Sequence, residues 1–399
     1  VSSRIEDRNV WVVYAAILLL GLAYGDSLAV TALHLDAVGF SKRQIGTLAA
    51  WFAGGIVAMS LPAGGLVRTL SARRAVLLCL VGYAVAVALF PFQRSYAGAA
   101  AVRFVDGACS VGVWVGCETI LLSRSSPSNK AFVMSLYAMS LALGYVGGSL
   151  LARGVVAVTT MRAAFLSASA LAVLAALVVG VWLDADAVMA ERAVEEGAGT
   201  GARPSGWTLA WRIKTSCFAT FSYGYFQASV VLFLPLYLVA EKHVTKEETV
   251  VMPAVFAGGM LLFTNVAARL GDRLGHLRVM RAQGATGTLM ILGFVLLDAW
   301  TPMLGAIFVA GASLASISPV SLALQGKIAD PADYARANAI YNAFYAAGML
   351  LGPPLSSALF ERLGGPAMLY HLAAMWAAFV ALTVAFAGDD PRSRATFRA

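Results

Sequence analysis

About a dozen uninterrupted apolar stretches of roughly 20 residues run through this 399-residue chain, each long enough to cross about 30 Å of hydrocarbon. They lie near residues 10–33, 45–67, 75–93, 97–122, 131–152, 163–183, 213–239, 250–268, 279–299, 303–325, 338–360 and 366–387. Lipid offers no partner to a backbone amide or carbonyl, so segments of this length must satisfy their own hydrogen bonds as helices. The expected fold class is an all-α membrane protein with twelve transmembrane helices. The hydrophobic share is 60% against 13% charged residues, more apolar material than a soluble core can absorb. The first stretch is too long for the apolar region of a signal peptide and no small-residue cleavage site follows it, so it is expected to remain as a helix.

The formal net charge is +8, which in a soluble protein would suggest nucleic acid. Its distribution points elsewhere. With the N-terminus inside, most Lys and Arg residues fall on cytoplasmic segments, among them Arg68, Arg73, Arg74, Arg269, Arg273, Arg278 and Lys327, and few on outer loops such as Lys42 and Arg94. The basic balance therefore predicts topology, a multi-pass chain with both termini cytoplasmic, and no nucleic-acid partner. Cys79, Cys109, Cys117 and Cys217 all lie inside predicted spans, where buried structural thiols are the expectation. No Cys/His spacing suggests a metal, and no cofactor is implied.

The longest polar stretch, 184–214, carries Glu191, Glu195 and Glu196 before a Gly/Pro/Ser-rich run, and suits a short amphipathic helix followed by a flexible cytoplasmic linker. It separates an N-terminal six-helix bundle, 1–183, from a C-terminal one, 215–399. Features recur between the halves. The stretch from Gly65 to Arg73 and Arg74 after the second span returns as Ala268 to Arg278 after the eighth, at an offset of about 203. Tyr137, Gly144 and Gly148 return as Tyr341, Gly348 and Gly352 at 204, and Ala23-Tyr24-Gly25 as Ser222-Tyr223-Gly224 at 199. Nearly constant offsets favour duplication, giving two pseudo-symmetric bundles.

The sequence Asp272-Arg273-Leu274-Gly275, flanked by basic residues, resembles the G-x-x-x-D-R-x-G-R-R loop signature of the major facilitator superfamily. Counted from Gly65, the N-terminal copy puts Thr69 at the acidic position, Leu70 at the first arginine and Ala72 at the glycine, and keeps Arg73 and Arg74. Arg103-Phe104-Val105-Asp106-Gly107 resembles the R-x-x-x-G motif of drug antiporters in span four, and the continuation through Trp114 to Glu118 resembles a branch of bacterial permeases in the same superfamily. The resemblance implies a secondary transporter of a bacterial inner (cytoplasmic) membrane, acting as a monomer by rocking of one bundle against the other around a central cavity.

An ionisable group inside a span costs roughly 2.5–3.5 kcal/mol, so each demands a reason. Four stand out: Asp26, Arg103, Asp106 and Glu118. Asp26 and Arg103 fall at similar depths on spans one and four, and if those spans face each other the two are expected to pair, as a proton-coupling device or as a static ion pair. Asp106, three residues along, is the competing partner for Arg103. Glu118 is either a second protonation site or an interfacial carboxylate. For the substrate cavity, Tyr225 and Gln227 in span seven and Tyr341, Asn342 and Tyr345 in span eleven carry polar groups that are expensive to face lipid. Gly352-Pro353-Pro354 and Ser318-Pro319 are expected to interrupt spans eleven and ten as cavity hinges or packing kinks. The loop residues Asp272, Arg273, Gly275, Gly65, Arg73 and Arg74 are expected to form a conformational latch, with Asp272 capping a neighbouring helix and pairing with basic residues.

These features predict proton-coupled export of an amphipathic drug or metabolite, with small-molecule substrate, protons and the lipid bilayer as partners. Proton-driven uptake, uncoupled facilitation and a non-transporting membrane sensor are the alternatives. No nucleotide-binding loop, nucleophile and base pair or metal cluster is visible, so an enzyme is not expected.

Overall fold

A computed structural model describes residues 7–124, 130–184, 205–329 and 334–390. The described residues form twelve long helices: α1 (Arg8–Val38), α2 (Lys42–Leu70), α3 (Ala72–Leu89), α4 (Tyr96–Ser123), α5 (Lys130–Val158) and α6 (Met161–Trp182), then α7 (Lys214–Glu241), α8 (Met252–Leu274), α9 (His276–Val295), α10 (Trp300–Ile328), α11 (Tyr334–Leu363) and α12 (Gly365–Ala385). Two short helices, Gly206–Arg212 and Lys246–Thr249, flank α7. Ten of the long segments have the length and hydropathy to cross a membrane. The other two are α2 and α9. Polar residues at the start of α9, from His276 to Gln283, lower its hydropathy, but its 20 residues still span about 30 Å. Most of the expected linker, including Arg192 and Arg203, lies outside the described residues, as do the side chains of Arg68, Lys130, Arg336 and Asn338.

Local chemistry sets the helix ends. Asp7 caps α1 by accepting from the Asn9 amide at 2.8 Å, and Gly39 ends it in a left-handed conformation at φ 101°, its amide turned back to Leu35 and Asp36. Ser41 and Gln44 form a reciprocal capping box at the start of α2. The chain divides into two compact units, Val1–Gly197 with Thr245–Ala254, and Ala198–Val244 with Val255–Ala399.

Within each unit the first helix begins beside the residue that follows the last helix. In the N-terminal unit Arg8 and Asn9 bind Asp184 at 2.8 and 2.9 Å, while Arg124, at the end of α4, reaches Asp7 at 2.6 Å. Burial pushes the Asp7 carboxyl up, but the hydrogen bonds from Arg124 and Asn9 outweigh it and hold the group below the usual carboxylate range. In the C-terminal unit Lys214 binds Asp389 at 2.8 Å.

Helix crossings repeat between the units. α1 packs on α5 and α6, and α2 on α4. Gly148 sits against the Leu22 carbonyl of α1, and Gly107 against the Phe52 carbonyl of α2, so closely that a Cβ on either would collide with backbone. In the C-terminal unit Gly352 sits against Tyr225 and Gly311 against Phe256 in the same way. Both glycine pairs are related by an offset of 204.

The loop between α8 and α9 corrects the sequence alignment by one residue. Gly275 separates these helices at φ +98°, and the residue that separates α2 from α3 with positive φ is Ser71, at φ 72° and ψ 151°. Ser71 lies 204 residues before Gly275, so it, and not Ala72, occupies the glycine position, with Arg68 where Asp272 stands. Pattern matching from Gly65 missed this because the equivalence is fixed by the backbone reversal. A side chain in that φ/ψ region costs about 1–3 kcal/mol.

The expected interruptions also differ. α10 is broken by a π segment at Gly311–Ala315, one turn before Ser318 and Pro319, and Pro319 sits at the start of the resumed helix Ile317–Ile328, where its missing amide costs least. α11 runs unbroken through Pro353 and Pro354.

Replacing Ser71 by glycine is expected to raise stability by about 1 kcal/mol, read as a higher melting temperature in detergent. An unchanged or lower value would show that Ser71 is unstrained.

Candidate functional site

In the N-terminal unit the polar groups of the spans separate onto two faces of α1. Asp26 is fully buried and accepts a hydrogen bond at 2.5 Å from Ser167 Oγ of α6. Its Oδ1 has no hydrogen-bond partner, and no described cation pairs with it. The expected partnership with Arg103 is not formed. Arg103 Nη1 instead binds Asp106 Oδ2 at 2.5 Å, with both side chains over nine-tenths buried, and the guanidinium lies 4.4 Å from the Phe52 ring centroid.

The reason is helical phase. Tyr24 faces α3 and α4, within electrostatic reach of Asp106, and Asp26 is two residues on, roughly 200° round the helix. Similar depth therefore did not bring Asp26 to Arg103, whereas a spacing of three places Asp106 beside it on the same helix. Glu118, half-buried on α4, faces Tyr137 of α5, and no described cation pairs with it.

A group of rings that the sequence did not single out as a site surrounds the Tyr24 side chain. Tyr83 lies 5.1 Å away, Tyr145 5.6 Å and Trp114 6.1 Å between centroids. The hydroxyls of Tyr24 and Tyr83 and Trp114 Nε1 are buried without closing a hydrogen bond, although Tyr24 lies toward Ser110 and Tyr83 toward Ser27. The only sequence signal was the Tyr24-Gly25 echo, because the cluster draws on four helices and its members are far apart along the chain.

In the C-terminal unit Tyr225 binds His371 Nε2 of α12 at 3.2 Å, and Ser356 Oγ approaches the same nitrogen at 3.3 Å. His371 Nδ1 faces the Met368 carbonyl, which places the proton on Nδ1 and leaves Nε2 to accept. Tyr345 donates to Gln227 Oε1 at 2.8 Å, joining α11 to α7. Tyr341 is turned into α10, 2.8 Å from Ser321 Oγ and 3.0 Å from the Ser318 carbonyl, and Asn342 is exposed. The crossings that set Gly148 against Leu22 and Gly352 against Tyr225 relate α1 to α7 by an offset of 203, not the 199 of the Tyr24-Gly25 echo. The counterpart of Asp26 is therefore Ser229, one turn beyond Tyr225, while His371 is the counterpart of Ser167 at 204. One position thus carries a carboxyl in one unit and, in the other, the Ser229 hydroxyl, which accepts from Ser356 Oγ at 2.9 Å.

Among the latch residues, Asp272 Oδ1 lies 3.0 Å from Lys327 Nζ of α10 and 3.6 Å from His276 Nε2. The cap on α9 comes from another residue, since Asp390 Oδ2 accepts from the Leu277 amide at 3.1 Å. Arg273 and Arg74 are exposed, Gly65 lies on the last turns of α2, and Arg73 donates to the Gly180 carbonyl of α6.

The buried ion pair makes a direct prediction. Asp106→Asn leaves the Arg103 charge without its partner and is expected to cost about 3–5 kcal/mol, whereas Arg103→Met with Asp106→Leu should recover most of it. Equal melting temperatures for wild type and Asp106→Asn would refute the pairing.

The Major Facilitator Superfamily model matches residues 13–300 and 216–399. The uncharacterised MFS-type transporter YcaD of Escherichia coli O7:K1 (strain IAI39 / ExPEC) is 22% identical over 385 residues, covering 96% of this chain and 97% of that one. Among solved structures, a mutant of the nucleoside transporter NupG superposes with a TM-score of 0.75 at 14% identity, covering 94% and 97% of the two chains. A bacterial homologue of the human lysosomal transporter Spinster gives 0.73 at 16%, with 97% of each chain covered. A POT family transporter gives 0.79 at 12%, with 96% of each covered. With twelve long helices and a family match from one end of the described chain to the other, this protein belongs to the major facilitator superfamily.

Proposed function

We propose that this membrane transporter couples export of an amphipathic small molecule to proton movement by alternating access, in a bacterial inner membrane with both termini cytoplasmic. The observation that carries the coupling is Asp26, a fully buried carboxyl that touches one serine and has no counter-charge among the described residues. A carboxylate in such a place is expensive, and taking up a proton removes most of the cost. Its protonation is thereby tied to whatever opens the contact of α1 with α6 to water. Support for an amphipathic substrate comes from the rings of Tyr24, Tyr83, Trp114 and Tyr145, which offer apolar faces beside the polar tips of Tyr24, Tyr83 and Trp114 that close no hydrogen bond. Support for export is the resemblance of Arg103 to Gly107 to the span-four motif of drug antiporters.

The test is flux of ethidium, as an amphipathic aromatic probe, in proteoliposomes with and without an imposed pH gradient. Wild type is expected to move the dye faster with the gradient, while Asp26→Asn keeps downhill flux and loses the gradient dependence. Gradient-driven flux that survives in Asp26→Asn would remove Asp26 from the coupling.

The Asp272 contact with Lys327 has a separate role in the same reading, holding the inner ends of α8 and α10 in register. Asp272→Asn is expected to alter the distribution of spin-label distances between the two units by at least a few-fold in population ratio. An unchanged distribution with normal transport would end the latch assignment.

A further inference from the structure

An apolar groove of about 500 Å³ runs between α3 and α6. Its wall on α3 extends from Leu77 to Ala88, eleven residues or roughly 16 Å, close to the 15 Å or so that one leaflet contributes to the hydrocarbon layer. On α6 it extends from Ser169 to Val181, and Ser169 spends its hydroxyl on the Ala84 carbonyl, so the lining offers almost nothing polar.

The ends of the groove differ in charge. Gly180, which lines one end, accepts from Arg73, and Arg74 is exposed beside it. Arg73 Nε is buried with no hydrogen-bond partner, and no described carboxylate pairs with either arginine. At the other end the lining stops at Ala88, six residues or about 9 Å short of the next basic residue, Arg94.

A one-leaflet apolar slot that opens onto two arginines with no counter-charge among the described residues matches a molecule with an acyl chain and an anionic head. We propose that this groove binds one anionic phospholipid, with an acyl chain along α3 and α6 and the phosphate on Arg73 and Arg74. Arg73 donates one nitrogen to Gly180, and the half-buried guanidinium turns its remaining exposed edge to the phosphate oxygen, so protein and lipid share it. The assignment is independent of substrate and coupling, because it uses only the outer face of one unit and its insertion in a bilayer.

The test is retention of lipid by the purified full chain after exchange into mixed micelles of phosphatidylglycerol and phosphatidylcholine at equal concentration, read by native mass spectrometry. Wild type is expected to keep one phosphatidylglycerol in at least five-fold preference over phosphatidylcholine. Arg73→Gln with Arg74→Gln should erase the preference, and Arg74→Gln alone, at an exposed position, should reduce it. Val85→Trp, which fills the slot from its half-exposed wall, should lower retention of both lipids. Equal retention of the two lipids by wild type, or an undiminished preference in the arginine variants, overturns the headgroup assignment. Undiminished retention in Val85→Trp overturns the acyl-chain assignment, and glycerol phosphate competing as well as the whole lipid would show that the arginines bind a free phosphate and the groove contributes nothing.

Discussion

Helix backbones in this protein meet at crossings where no side chain intervenes, and the rest of the architecture depends on that contact. In hydrocarbon there is little hydrophobic gain in bringing two helices together, so association relies on close packing, and close packing on small residues. Gly148 against Leu22 and Gly107 against Phe52 hold α5 to α1 and α4 to α2, and Gly352 and Gly311 serve the same crossings in the second unit. These contacts fix the rotation of each helix about its own axis. That rotation decides that Tyr24 looks toward Asp106 while Asp26 looks toward Ser167.

The charges inside the spans divide into those that are compensated and those that are not. Arg103 and Asp106 neutralise each other one turn apart, with Phe52 over the cation, and this pair has the character of a fixed structural element. Asp26 and Glu118 have no described cation opposite them. At the helix ends marked by Asp7, Asp184 and Asp389 pairing is complete, since each of the three meets a basic residue. Asp26 departs from that pattern, as a fully buried carboxyl held by the Ser167 hydroxyl with no described counter-charge.

Much of the fold was legible because lipid permits so few alternatives. Apolar length alone located all twelve long helices, since each described one overlaps an expected span, and the recurrence of Gly144 and Gly148 as Gly348 and Gly352 correctly marked equivalent crossings. The loop equivalence was one residue off, because Ser71 adopts a conformation that its identity does not announce. The site was less legible. Depth along a helix can be counted from the sequence, but azimuth against a neighbour cannot, and the pairing of Asp26 with Arg103 failed on azimuth. The ring cluster around Tyr24 and the contact of Tyr225 with His371 join residues up to 146 positions apart, which no local pattern records.

The π segment at Gly311–Ala315 acts as a phase shifter in an otherwise repeated design. A π turn accommodates roughly one residue more than an α turn, so everything beyond it on α10 is advanced by about 100° relative to an unbroken helix. α4, its counterpart, carries no such segment. The crossing at Gly311 is therefore shared with Gly107, but past that point the two helices present different sides to their neighbours. Lys327 arrives opposite Asp272 on the shifted half. The corresponding positions of the N-terminal unit hold Arg68 and Ser123 in the sequence, so this lock belongs to one copy of the scaffold only.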